Sequence, residues 1–247
     1  MLIVANWKAY VEDFGKAKKL FVVSKKLARD SKNKIIIAPP APFLGAFAFG
    51  NKSAVAFSAQ DVSLTTGGAE TGEITAQEYA AVGATFALIG HSERRAKGND
   101  NDTVAKKLSH ALTQGLTPIL CIGEKERDGE GRYLSFVREE LTSAIEPLTP
   151  KERVKIIIAY EPIWAIGSMA GSAIEPNDLA EMVLYIRKVL AELLPGKNSA
   201  HASVLYGGSV ESNDVRALAA NSGVDGFLIG RESVDPDLFA ALVKQLA

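Results

Sequence analysis

The residues of this chain most able to do chemistry begin with a carboxylate in the stretch KIIIAYEPIWAIGSMAGS, residues 155–172. Ile156, Ile157, Ile158 and Ala159 form an unbroken apolar run, the pattern of a strand buried on both faces of a parallel sheet. Glu161 follows at the end of that run, and Pro162 biases it away from the helical region. Beyond it come Ile163, Trp164, Ala165 and Ile166, then the small residues of 167–172. A base beneath a lid is one reading; an exposed glutamate opening an ordinary loop is the other. Two further polar groups follow apolar runs in the same way. Asn6-Trp7-Lys8 comes after Leu2–Ala5, and His91 comes after Phe86–Ile89, within Gly90-His91-Ser92-Glu93-Arg94-Arg95. Gly167-Ser168, Gly208-Ser209 and Gly230-Arg231 are segments whose backbone N–H groups could approach an oxyanion closely. A carboxylate base, an imidazole and a fixed lysine beside an anion site suit proton abstraction next to a carbonyl on a small phosphorylated molecule. The sequence has no nucleophile elbow, no cysteine or histidine cluster with ligand spacing, and no Gly-x-Gly-x-x-Gly after the first strand.

These groups need a frame, and hydropathy periodicity supplies one. Strands are expected at Leu2–Ala5, Ile35–Ala38, Ala54–Ser58, Phe86–Ile89, Leu116–Ile122, Ile156–Tyr160, Val204–Tyr206 and Gly226–Ile229. Helical patterns separate them: Asp13 caps one running to about Ala28, and others cover Ala76–Gly83, Asn99–Gln114, Arg132–Ile145, Asn177–Leu194, Val215–Asn221 and Pro236–Leu246. Pro39, Pro40 and Pro42 read as the stop of the second strand. Alternating buried strands and amphipathic helices demand a parallel sheet with right-handed crossovers. Eight units in 247 residues, with no Ser/Pro-rich linker, favour one closed (β/α)8 barrel over residues 1–247. In such a barrel the active groups gather at the C-terminal ends of strands, where Asn6, Lys8, His91, Glu161, Ser209 and Gly230 fall.

Composition excludes more than it selects. With 28 Lys+Arg against 29 Asp+Glu the net charge is −1, and no like-charge block suggests a nucleic-acid partner. The single Cys121 precludes an internal disulfide and fits a reducing compartment. Residues 1–9 lack the pattern of a signal peptide, and no apolar run is long enough to span a bilayer, so a soluble cytoplasmic protein is expected.

Along its entire length the sequence resembles the triosephosphate isomerase family. The resemblance rests on ANWK at 5–8, GHSERR at 90–95, CIGE at 121–124, AYEPIWAIG at 159–167, YGGSV at 206–210 and GFLIG at 226–230. It implies a single (β/α)8 TIM barrel and a cofactor-free interconversion of dihydroxyacetone phosphate and D-glyceraldehyde 3-phosphate. By the same resemblance Glu161 is the base, His91 the neutral electrophile, Lys8 the cation facing the substrate and Asn6 its hydrogen-bonding neighbour. Glu93 is implied as a carboxylate near Lys8, with Ser92 and Cys121 in support. Gly167, Ser209, Gly230 and Arg231 stand where the family offers N–H groups to phosphate, and Pro162–Ala173 matches a mobile lid. A homodimer is implied too, through the long loop from Asp61 to Thr75.

Three departures bear on these expectations. The lid's far end reads SMAGSA where the family commonly has a Thr-Gly-Lys-Thr-Ala type sequence. Arg231 stands at what is usually the second of two glycines, so either its N–H or its side chain could meet the phosphate. Glu70 replaces an aromatic residue in the long third loop, which implies an altered interface. A lyase or aldolase on the same barrel would need a Schiff-base lysine or a metal; Lys8 is the only strand-end lysine, and its Asn6-Trp7 setting fits the isomerase better. A catalytically silent binding barrel is the third alternative, against which Lys8, His91 and Glu161 together argue.

Overall fold

The computed structural model of the chain describes residues 1–166, 174–196 and 202–246. Its strands are β1 (Leu2–Asn6), β2 (Lys34–Ala38), β3 (Ala56–Ala59), β4 (Phe86–Ile89), β5 (Thr117–Ile122), β6 (Ile157–Tyr160), β7 (Val204–Tyr206) and β8 (Gly226–Ile229). They pair in parallel in sequence order and close, with β1 also bonded to β8 through Leu2↔Gly226 to Ala5↔Ile229. The expected barrel is therefore present.

Side-chain direction in the barrel follows the period of two along each strand. Val4, Ile36, Ala38, Leu88, Ile119, Cys121, Ala159, Leu205 and Leu228 pack together in the barrel interior. Their strand neighbours Ile3, Ala5, Ile37, Ile89, Leu120, Ile122, Ile158 and Tyr206 join the larger core shared with the surrounding helices. Asn6 is in phase with Val4, and Glu161 with Ala159. Continuing the alternation by one more step therefore aims both at the barrel mouth.

The helices are α1 (Phe14–Asp30), α2 (Ala41–Ala48), α3 (Ala76–Ala81), α4 (Ser92–Arg95), α5 (Asn101–Thr113), α6 (Arg132–Ile145), α7 (Pro150–Arg153), α8 (Pro176–Leu193), α9 (Val215–Asn221) and α10 (Pro236–Gln245). Asp13 caps α1 as expected, its Oδ1 accepting from Lys16 N–H at 2.9 Å. In α8 the face of Leu179, Met182, Val183, Ile186 and Leu190 is buried, each such side chain contributing roughly 1.5–3 kcal/mol.

Three helices differ from expectation. The prolines after β2 do not only stop a strand, because Pro40 stands at the N-cap of α2 and Pro42 in its first turn, where a missing N–H costs nothing. The short α4 and α7 are single turns without enough length to show periodicity. The third strand begins at Ala56, two residues later than its hydropathy indicates.

Between β3 and α3 runs a long loop, mostly exposed from residue 64 to 74. Ser63 clamps its base, its N–H donating to Ile74 C=O and its hydroxyl to Glu73. Leu64 and Ile74 stand exposed on it. Among the described residues, no helix is long and apolar enough to cross a membrane.

Candidate active site

The strand ends of β1, β4, β6, β7 and β8 open into one cavity of about 150 Å³. Asn6, Lys8, His91, Glu161, Gly208, Ser209, Gly230 and Arg231 all line it. The structure thus brings together most of the residues singled out in the sequence. Gly167 and the lid tip, including Ser168, lie outside the described residues. Glu93 and Cys121 touch the groups that line the cavity.

Lys8 is held in a conformation that costs energy. It is the one non-glycine residue with positive φ, +46°, among the described residues, a left-handed backbone worth roughly 1–3 kcal/mol of strain. Its surroundings over-determine it. Its N–H donates to Asn6 Oδ1 at 3.1 Å, and Gln60 Nε2 donates to both Lys8 C=O and Ala38 C=O at 2.9 Å. The ammonium lies 2.7 Å from Glu93 Oε1. Partial burial pushes the Glu93 carboxyl up, but the Lys8 hydrogen bond and charge outweigh it and hold the group below the usual carboxylate range.

His91 forms the N-cap of α4, and its Nδ1 accepts from Glu93 N–H at 3.2 Å. A nitrogen that accepts cannot also carry the proton, so Nε2–H is the donor of the neutral ring. Nε2 lies 3.3 Å from Glu161 Oε1, and both residues are buried. The other carboxylate oxygen, Oε2, accepts from Ser92 N–H at 3.2 Å. Two glycines make room for Glu161, one beside its side chain and one beside its backbone. A Cβ on Gly207 would come 2.8 Å from Glu161 Cγ, and one on Gly123 would collide with the Glu161 carbonyl. Cys121 lies against Glu161 from inside the barrel; burial above all, then the glutamate's charge, pushes its thiol well up, so it stays protonated.

At the β7 and β8 side of the cavity, Arg231 opens a 3₁₀ turn, Arg231–Val234, with its side chain exposed. Its φ is not positive, so its N–H needs no glycine to face the cavity. Ser209 N–H donates to Ala165 C=O at 3.1 Å. That donor reaches an oxyanion only after the bond is exchanged.

Residues Ile163–Ala165 form a 3₁₀ turn, fastened by a residue to which no sequence pattern assigns a role. Buried Glu124 Oε1 accepts from Tyr160 OH and Trp164 Nε1, both at 2.8 Å, with Arg127 Nε at 3.4 Å. The Arg127 guanidinium also lies over the Trp164 ring, 5.1 Å from its centroid. Glu124 was visible as the last residue of CIGE. Gln60 stood one residue past β3, with nothing in its neighbours to single it out.

The chain matches the family model described as Triosephosphate isomerase over residues 1–246. It is 35% identical to the triosephosphate isomerase of Corynebacterium diphtheriae over 253 aligned positions, covering 100% of this chain and 96% of that protein. To that of Nocardia farcinica it is 38% identical, covering 98% and 94% of the two chains. To that of Symbiobacterium thermophilum it is 36% identical, covering 100% and 96%. A closed eight-stranded barrel, a shared cavity at its strand ends and this full-length similarity lead to one conclusion: the chain belongs to the triosephosphate isomerase family.

Proposed function

We propose that Glu161, His91 and Lys8 carry the reaction of this enzyme, the interconversion of dihydroxyacetone phosphate and D-glyceraldehyde 3-phosphate. The observation that carries the reading is the buried Glu161 carboxylate 3.3 Å from His91 Nε2, in one cavity with Lys8. Glu161 takes a proton from the carbon beside the carbonyl and returns it to the neighbouring carbon. His91 Nε2–H donates to the carbonyl oxygen and moves the proton between the two oxygens. The Lys8 ammonium and Asn6 stabilise the enediolate, and one well-aimed donor of this kind is worth roughly 3–4 kcal/mol. Every proton moves between substrate and side chain, so the scheme uses no cofactor.

Backbone N–H groups of Gly167, Ser209, Gly230 and Arg231 hold the phosphate, and residues 162–173 close over it to exclude water. Ser209 must release Ala165 C=O to do so, which links phosphate binding to movement of the lid root. Glu93 holds Lys8 in place through its 2.7 Å ion pair. The active form is a homodimer. Exposed Leu64 and Ile74 on the long loop, with Tyr10 and Phe14 exposed after β1, support that reading. One buried cysteine and the absence of a basic block fit a cytoplasmic enzyme with no nucleic-acid or membrane partner.

The test is turnover of D-glyceraldehyde 3-phosphate beside Glu161→Gln. The amide cannot take the proton, and loss of a positioned base removes on the order of 10²–10⁴-fold. A drop of at least about a thousandfold is expected; near-normal turnover would remove Glu161 as the base.

A further inference from the structure

Behind the catalytic cavity, on the helix side of the barrel, lies a second charged residue that the mechanism leaves unused. Glu140 of α6 is a buried carboxylate, 4% exposed. Its Oε2 accepts from Gly123 N–H at 2.8 Å, and its Oε1 lies 3.2 Å from Arg95 Nη1. Arg95 in turn donates from Nε to Gly90 C=O at 2.9 Å and from Nη1 to Asn101 at 2.8 Å.

Two of these contacts, those to Gly123 N–H and Gly90 C=O, end on backbone next to a catalytic group. Gly90 immediately precedes His91. Gly123 is two residues past Cys121, and its Cα packs against the Glu161 backbone so closely that no side chain fits between them. Glu161 N–H is itself bonded to Ile122 C=O at 2.7 Å. One carboxylate therefore ties together the ends of β4, β5 and β6. We propose that Glu140 is a positioning residue for the isomerisation, which through Arg95 and Gly123 fixes the distance between His91 and Glu161. The inference rests on the assignment of those two residues as acid and base.

The chemistry makes the device sensitive to charge. Only an ionised carboxylate accepts from two donors through two oxygens, whereas a protonated acid or an amide offers one good acceptor. Burial pushes the Glu140 carboxyl up to about 7, the Arg95 guanidinium and Gly123 N–H opposing, with Glu161 and Glu124 adding to the rise. Glu93, Arg95, Asp100, Lys125 and Glu139 line the cavity that opens beside it. The clamp is then fully set above neutral pH and relaxed in acid.

The experiment measures kcat and KM for D-glyceraldehyde 3-phosphate from pH 6 to 9 in wild type, Glu140→Gln and Glu140→Leu, with thermal melts as a folding control. In Glu140→Gln, kcat is expected to fall about tenfold at pH 8 while KM changes less than about twofold, since small misplacements of reacting groups are costly. Near pH 6 the two enzymes should converge, because the wild-type carboxyl is then protonated. Should Glu140→Leu not fold, the pH-dependent ratio of wild type to Glu140→Gln still decides the matter. A ratio that is constant with pH, or kcat within twofold of wild type throughout, would overturn the proposal. Near-normal turnover in Glu161→Gln would instead defeat the acid–base assignment beneath it, a separate outcome.

Discussion

Lys8 shows how much structure it takes to hold a single charge at the barrel mouth. Its +46° φ is disfavoured for any residue with a Cβ, and it persists because Gln60 and Asn6 bind its carbonyl and N–H. Gln60→Ala removes the donor to both Lys8 and Ala38 carbonyls. The lysine backbone then relaxes and the ammonium moves off target, so kcat/KM should fall on the order of 10–100-fold; unchanged steady-state kinetics would show that the strain is held elsewhere. Arg231 is a contrasting residue. Its side chain is exposed and its φ is not positive, so its backbone N–H can meet an oxyanion with no glycine at this position. Arg231→Gly should shift KM by less than about threefold, well under the tenfold that 1.4 kcal/mol represents. A larger rise would assign a direct guanidinium–phosphate contact.

Among the elements, the turn after Glu161 and the short helix α4 do most to position the cavity's polar groups. In α4 a single turn suffices to aim Glu93 N–H at His91 Nδ1, which fixes the tautomer without any long helix. The turn after Glu161 depends on Glu124, a carboxylate receiving the Trp164 indole and the Tyr160 hydroxyl. These bonds stabilise the conformation in which Ser209 N–H is bound to Ala165 C=O. Trp164→Phe deletes one charge-assisted hydrogen bond, worth roughly 1.5–3 kcal/mol when made to an ionised group. Loosening that conformation should tighten binding of a non-reactive phosphate analogue several-fold, measured by calorimetry. Weaker binding would mean that Trp164 serves the closed lid instead.

At the scale of the whole molecule, Glu140 sets a pH dependence of stability. Burial raises its carboxyl from the ordinary 4.5 to about 7. Between those values the folded state holds a proton that the unfolded chain has released. The stability contribution is therefore fully present below about pH 4.5 and is lost as pH rises through 7. A rise of that size corresponds to a loss on the order of 3 kcal/mol. Urea melts at pH 5.5 and 8.5 should show wild type weaker at the higher pH, and the difference should shrink in Glu140→Gln. Assembly belongs to this scale as well. The loop carrying Leu64 and Ile74 is clamped at its base, and both of these side chains stand exposed. Sedimentation at micromolar protein should give a dimer; a fully active monomer would remove the interface.

Periodicity in the sequence determined the order of strands and helices, because burial writes a two-residue or 3.6-residue rhythm directly into residue choice. Strand ends were legible for the same reason, and with them Asn6, His91 and Glu161. The departures fell where rhythm is absent: the proline-led α2, the one-turn α4 and α7, and the start of β3. Gln60, Glu124 and Glu140 had no sequence signal that assigned them a role, since each acts on partners up to 52 positions away. Polar contacts of this kind depend on which strand ends the closed barrel makes adjacent. The sequence alone thus determined which chemical groups stand at the mouth of the barrel. Tertiary structure decided what holds them there, because hydrogen bonds between distant strand ends exist only after the sheet has closed.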